Sequence, residues 1–126
     1  MLTGADKDRL LAGSPRNIVA VDMPHVPPKQ LGPDAEYEQA AERLQKWKTC
    51  GVLQQDSTPC VYVYEQTFDW SGRGYVRRGM IAGVRATELG VDVIPHEHVF
   101  AGPIADRLKL TELTRTQLSP IFGFYE

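Results

Sequence analysis

Between Asp34 and Arg85 the apolar period of this 126-residue chain changes once, from three-to-four to two, and that change restricts the fold more than any other feature. In the stretch AEYEQAAERLQKWKTC, which Asp34 can cap, the residues Tyr37, Ala40, Ala41, Leu44 and Trp47 fall on one side of a helix, with Glu and Lys on the other. Gly51 suits the position after its last turn, and Val52 can fold back on that turn. Cys60 to Phe68 and Tyr75 to Arg85 alternate instead, with D-W-S-G-R-G between them as a turn of about six residues, which predicts a hairpin. On its second strand Val76, Met80, Ala82 and Val84 share a face with Arg78, while Gly79 and Gly83 lie opposite with Tyr75, Arg77 and Ile81. A strand glycine marks a bend or a closely approaching group.

The remaining segments predict smaller elements. Thr3 to Ala12 reads as a short helix capped by Thr3 and ended by Gly13 and Pro15. Asn17 to Met23 is a strand candidate between Pro15 and Pro24, and the four prolines from Pro24 to Pro33 predict an extended surface loop. Leu53 to Pro59 is a polar connection. From Val91 to Glu126 the order is an apolar strand, a Pro-His-Glu-His loop, a charged helix that Pro103 can begin, and an apolar strand from Ile121 to Tyr125. The layout is helix, strand, helix, hairpin, strand, helix, strand, an α+β or mixed α/β class. Ligands of α/β folds bind beyond the carboxyl ends of strands. The chain is therefore expected to form one domain over residues 1–126 and to be the amino-terminal fragment of a longer active unit, with self-association through the uncovered C-terminal strand.

Composition excludes some classes. At 42% hydrophobic and 24% charged the chain is of the ordinary globular kind. Fourteen Lys and Arg against sixteen Asp and Glu leave a formal charge of -2, which gives no global field for nucleic acid, although a local patch remains open. Acidic residues stand in the opening MLTGADKDRLLAG where a signal peptide carries positive charge, and apolar runs are short, so no membrane partner and a cytoplasmic location are expected. Cys50 and Cys60 have no zinc-type spacing and read as plain thiols.

The residues that could carry chemistry cluster late. An extended backbone places His96 and His98 on one face and Glu97 on the other. Two histidines lack the third ligand a metal site needs, and the other histidine, His25, lies far away in the proline loop, so no metal is expected. Glu97, just past an apolar strand and a proline, is the best-placed general base if burial raises its pKa. Arg107, beside Asp106 early in the following helix, can hold an anionic ligand or pair with an acid such as Glu112, and Glu112 and Arg115 can pair in turn. Arg73, Arg77, Arg78 and Arg85 make the hairpin the most basic region, with a charge-protected edge as the simplest account. Neither G-x-x-x-x-G-K-[ST], G-x-G-x-x-G nor G-x-S-x-G occurs.

In order along the chain, L-L-A-G-S-P-R-N-I-V, V-Y-V-Y-E-Q-T-F, R-R-G-M-I-A-G-V-R, V-I-P-H-E-H-V and D-R-L-K-L-T-E-L-T-R-T-Q-L-S-P-I-F-G-F-Y resemble the amino-terminal part of the bacterial and archaeal family called domain of unknown function 1015. Members are longer and carry downstream a D-G-H-H-R segment similar to the phosphate-binding motif of the ParB and sulfiredoxin-like superfamily. Val91 to Tyr125 resembles the strand-helix-strand lead-in to that motif. The resemblance implies a partial ParB/sulfiredoxin-like core and a phosphotransfer-like domain acting on a small-molecule substrate with ATP or ADP and magnesium. Glu97 is then the base, and His96 and Arg107 are near the anionic ligand. Without the downstream motif, this chain alone is expected to be inactive and to bind no nucleotide tightly. The alternative implied is a non-catalytic regulatory or protein-interaction module related to ParB-type proteins, with the exposed hairpin as its contact surface.

Overall fold

A computed structural model describes residues 2–95 and 100–123. They fall into two compact units, one drawn from the spans Met1–Gln54 and Glu97–Glu126 and the other from Gln55–His96. The class is α+β: helices with one two-stranded antiparallel sheet.

The first unit is helical. Helix α1 (Gly4–Gly13) opens with a capping box, in which the Thr3 hydroxyl accepts from the Asp6 amide at 3.2 Å and the Asp6 carboxylate accepts from the Thr3 amide at 2.9 Å. The strand expected from Asn17 to Met23 is instead a single helical turn, α2 (Val19–Asp22). The Asn17 side chain accepts from the Val19 amide at 3.0 Å, and the Ala20 and Val21 amides bond back to Asn17 and Ile18, so the backbone donors are satisfied locally. Val19, Ala20 and Val21 are all buried in succession, a pattern a strand achieves only with sheet neighbours that are absent among the described residues.

Helix α3 (Asp34–Thr49) matches its expected apolar face, with Tyr37, Ala40, Leu44 and Trp47 buried. Pro33 rather than Asp34 is its N-cap. It ends as the sequence predicts: Gly51 takes φ +71, its amide bonds to Lys48, and the Val52 amide reaches the Trp47 carbonyl at 2.9 Å. Helix α4 (Ala101–Thr114) carries Pro103 in its first turn and closes on Arg115 at φ 50, a left-handed C-cap whose amide bonds to the Thr111 carbonyl at 2.8 Å. The core gathers Ala20, Val21, Tyr37, Ala40, Leu44, Trp47 and Leu110 from three helices, with Leu11, Val52 and Leu118 against its edge.

The second unit holds the hairpin. Strands β1 (Tyr62–Trp70) and β2 (Arg73–Ile81) pair in register from Tyr62 with Ile81 to Trp70 with Arg73. The turn is only Ser71-Gly72, tighter than expected, because both residues take positive φ (50 and 75) and so match the twist of the strands they join. Gly79 serves a closely approaching group: a Cβ there would lie 2.6 Å from the Tyr64 ring, which covers the glycine from the opposite strand.

Two expected strands do not form among the described residues. Around Val91 the chain makes a turn closed by Gly90 (φ +104), whose amide bonds to the Val93 carbonyl at 2.8 Å, and Val91 stays 80% exposed with no strand beside it. Ile121 to Gly123 has no regular structure, and Ile121 is 91% exposed. Phe124 and Tyr125, the rest of that predicted strand, lie outside the described residues, as does the His96 to Val99 stretch. No helix among the described residues is long and apolar enough to cross a membrane. Cys50 and Cys60 are exposed free thiols.

Candidate functional site

The helical unit buries one carboxylate completely. Asp106, in the second turn of α4, has 0% of its surface exposed and spends both oxygens on hydrogen bonds. Its Oδ1 accepts from the Tyr37 hydroxyl at 2.7 Å and lies 3.2 Å from His25 Nε2. Its Oδ2 accepts from Arg107 Nε at 2.9 Å and Nη2 at 2.8 Å. The remaining Arg107 nitrogen, Nη1, donates to Asp22 Oδ1 at 2.9 Å, and Ser119 Oγ donates to the same Asp22 oxygen at 2.9 Å. One chain of polar groups thus links the proline loop, α3, α4, α2 and the segment after α4.

Local sequence explains how each group arrives. His25 sits in the proline loop where backbone amides are scarce, and Gly32 lets the loop close on the imidazole: a Cβ at position 32 would lie 2.4 Å from Cδ2 of the ring. The Gly32 amide donates to the Tyr37 hydroxyl oxygen at 3.0 Å. That oxygen is also 3.0 Å from His25 Nε2. With the phenol donating to Asp106, both neighbouring oxygens accept at Nε2, and the network assigns the proton of His25 to that nitrogen. Tyr37 reaches inward because it lies one helical turn before Ala40 and Ala41, on the apolar stripe of α3.

Electrostatics set what these groups can do. Burial works against the Asp106 charge, but the hydrogen bonds from Tyr37 and Arg107, the Arg107 charge and the His25 contact outweigh it and hold the carboxyl below the usual carboxylate range. Burial pushes the Tyr37 phenol up, and the Asp106 charge adds to that against the Gly32 amide. Near neutral pH the acid is therefore ionised and fully occupied, and the phenol keeps its proton. Neither group is suited to carry a proton to or from a ligand. Asp106 holds Arg107 instead, and Tyr37 holds Asp106.

Arg107 is 35% exposed and lines a small hollow of about 110 Å³ with Leu110, Thr111, Gln117, Leu118 and Ser119. Three of the five guanidinium N–H groups are spent on Asp106 and Asp22, and the others remain for the hollow. Of the residues the sequence singles out, Arg107 is the one placed in this arrangement, and it pairs with Asp106 and Asp22 rather than Glu112. His96, His98 and Glu97 lie outside the described residues. Sequence reasoning passed over the partners: Tyr37 reads as core, Asp106 as the helix neighbour of Arg107, and His25 as remote from the other histidines. The signals that could have found them were a histidine inside a proline loop and the D-R-L motif.

The fold and this site define a small helical unit with a buried ion network joined in sequence to a hairpin unit. The chain belongs to the family described as "Protein of unknown function (DUF1015)", whose model matches residues 1–126. No curated protein and no solved structure matches it.

Proposed function

We propose that this chain supplies the anion-positioning part of a small-molecule site in a phosphotransfer-like protein with a ParB/sulfiredoxin-like core, one that works with ATP or ADP and magnesium. The observation that carries the reading is Arg107, clamped by two carboxylates at the rim of a hollow that Thr111, Gln117 and Ser119 also line. A guanidinium fixed in this way loses little freedom when it binds a planar or tetrahedral oxyanion. In this reading Glu97 takes the proton of a substrate hydroxyl.

Size limits what this hollow can hold. The hollow of about 110 Å³ suits a phosphate-sized group, whereas sites for nucleotide-sized ligands run to roughly 300–1,000 Å³. Among the described residues no cluster of three His, Cys, Asp or Glu is arranged for a metal ion. Asp22 and Asp106 together outweigh the single Arg107 charge, so affinity for a lone anion is expected to be millimolar.

The test is an NMR titration that follows the Arg107 Nε–H resonance with inorganic phosphate. A saturable shift in the millimolar range supports the reading, provided that chloride at equal ionic strength does not reproduce it. No saturable shift, or the same shift with chloride, overturns it.

A second reading, an interaction module, is favoured by the hairpin, where Val63 is 83% exposed and Val61, Trp70, Val76 and Met80 are exposed as well.

A further inference from the structure

The two faces of the hairpin differ in chemistry. Residues that alternate in register put Tyr64, Phe68, Trp70, Arg73, Tyr75 and Arg77 on one face, and no strand residue on that face is acidic. The opposite face carries Glu65, Asp69 and Arg78, with Arg78 Nε bonded to Glu65 at 2.7 Å. The aromatic face is already ordered. Phe68 and Tyr75 stack at 5.7 Å with an 18° interplanar angle, the Arg73 guanidinium lies 5.6 Å from the Tyr75 ring centre, and Arg77 donates to the Gln66 amide oxygen. Trp70, at the turn end, is 69% exposed.

We infer that this face binds single-stranded nucleic acid, an inference that goes beyond the phosphotransfer reading and is independent of it. Rings in an exposed row with two arginines and no acid among them suit a ligand of alternating flat apolar surfaces and negative charges. A single strand offers both, since its bases are free to stack on side chains and its phosphates take the arginines. A duplex keeps its bases stacked on one another and presents only phosphates to such a surface. The overall charge of -2 does not oppose this, because both arginines stand on one face. The far end of the face is less suitable: the Tyr62 hydroxyl donates to Asp56, whose charge faces an incoming phosphate. The binding half is therefore the turn half, from Gln66 to Trp70 and from Arg73 to Arg77.

The test is titration of the whole chain with an oligothymidylate of about ten nucleotides at low salt, read by tryptophan fluorescence. Trp47 is buried in the helical core, so Trp70 carries the response. Quenching with a dissociation constant in the micromolar range is expected, with a log–log salt slope of about -1.4 for two phosphate contacts. Arg73→Gln with Arg77→Gln should weaken binding about ten-fold or more. Trp70→Ala should weaken it about five-fold or more through lost stacking. Inorganic polyphosphate and duplex of equal charge should bind more weakly and leave the fluorescence unchanged. If the arginine variants disturb the hairpin's circular dichroism, the polyphosphate comparison on the unmodified chain decides. Equal affinity for polyphosphate or duplex, unaltered binding by folded arginine variants, no quenching at saturating oligonucleotide, or sedimentation showing a second copy covering Trp70 would each overturn the inference.

Discussion

The helical unit and the hairpin unit solve the problem of polar groups in opposite ways. Around Asp106 the chain buries an ionised carboxylate and satisfies it from the proline loop, α3 and the neighbouring Arg107, so the charge is a device for tying distant parts of the sequence together. In the hairpin nothing is buried: Tyr64 and Gly79 are half-covered by one another and the other strand residues are exposed. Its order rests on a two-residue turn and a local ladder. Isolated two-stranded hairpins are marginally stable in water, whereas a buried, fully paired ion network is costly to break at any single point. Substitutions should therefore act very differently in the two units.

The largest effect is expected at Asp106. Asp106→Ala leaves Arg107, Tyr37 and His25 without their shared partner and should cost about 3–5 kcal/mol of unfolding free energy, measured by urea denaturation. The same residue sets an acid limit. The folded carboxyl titrates below 3.8, so its contribution is complete above that value and is lost as pH falls through the lower folded value. The urea midpoint should fall in that acid window, and Asp106→Asn should remove this part of the pH dependence. Tyr37→Phe removes a donor to Asp106 and an acceptor for the Gly32 amide, and should cost about 1–3 kcal/mol in the same assay.

The hairpin changes should be smaller. Gly72→Ala forces a side chain into φ +75 at the turn and should lower hairpin stability by about 1 kcal/mol, read from strand amide protection. Arg78→Ala breaks an exposed pair with Glu65 and should change stability by less than about 1 kcal/mol. A Gly72 effect as large as that of Asp106, spreading into α3, would erase the contrast between the units.

The sequence revealed what local patterns encode. The α3 stripe, its Gly51 stop, the Thr3 cap and the alternating hairpin strands are each set by residues within a few positions of one another; the first three lie where expected, and the hairpin forms with both strands extended to a tighter turn. The α2 turn was misread because I-V-A-V has β-branched residues in a row, and its helical turn is decided by the Asn17 side chain together with burial of three consecutive positions. The expected strands at Val91 and Ile121 differ for the opposite reason: propensity alone does not make a strand without a partner, and among the described residues of these segments the pairing amounts to an isolated bridge between Leu89 and Val93. The Asp106 network was hidden because its members are separated by as many as 97 positions, between Asp22 and Ser119, and each has an ordinary local explanation.

Native-state hydrogen exchange, resolved by residue, tests the contrast most directly. The account predicts that α3 and α4 amides share the highest protection, that β1 and β2 amides open at lower free energy, and that Asp106→Asn lowers protection in α3 and α4 while leaving hairpin rates unchanged. Hairpin amides protected as strongly as those of α3, and falling with them in Asp106→Asn, would contradict it.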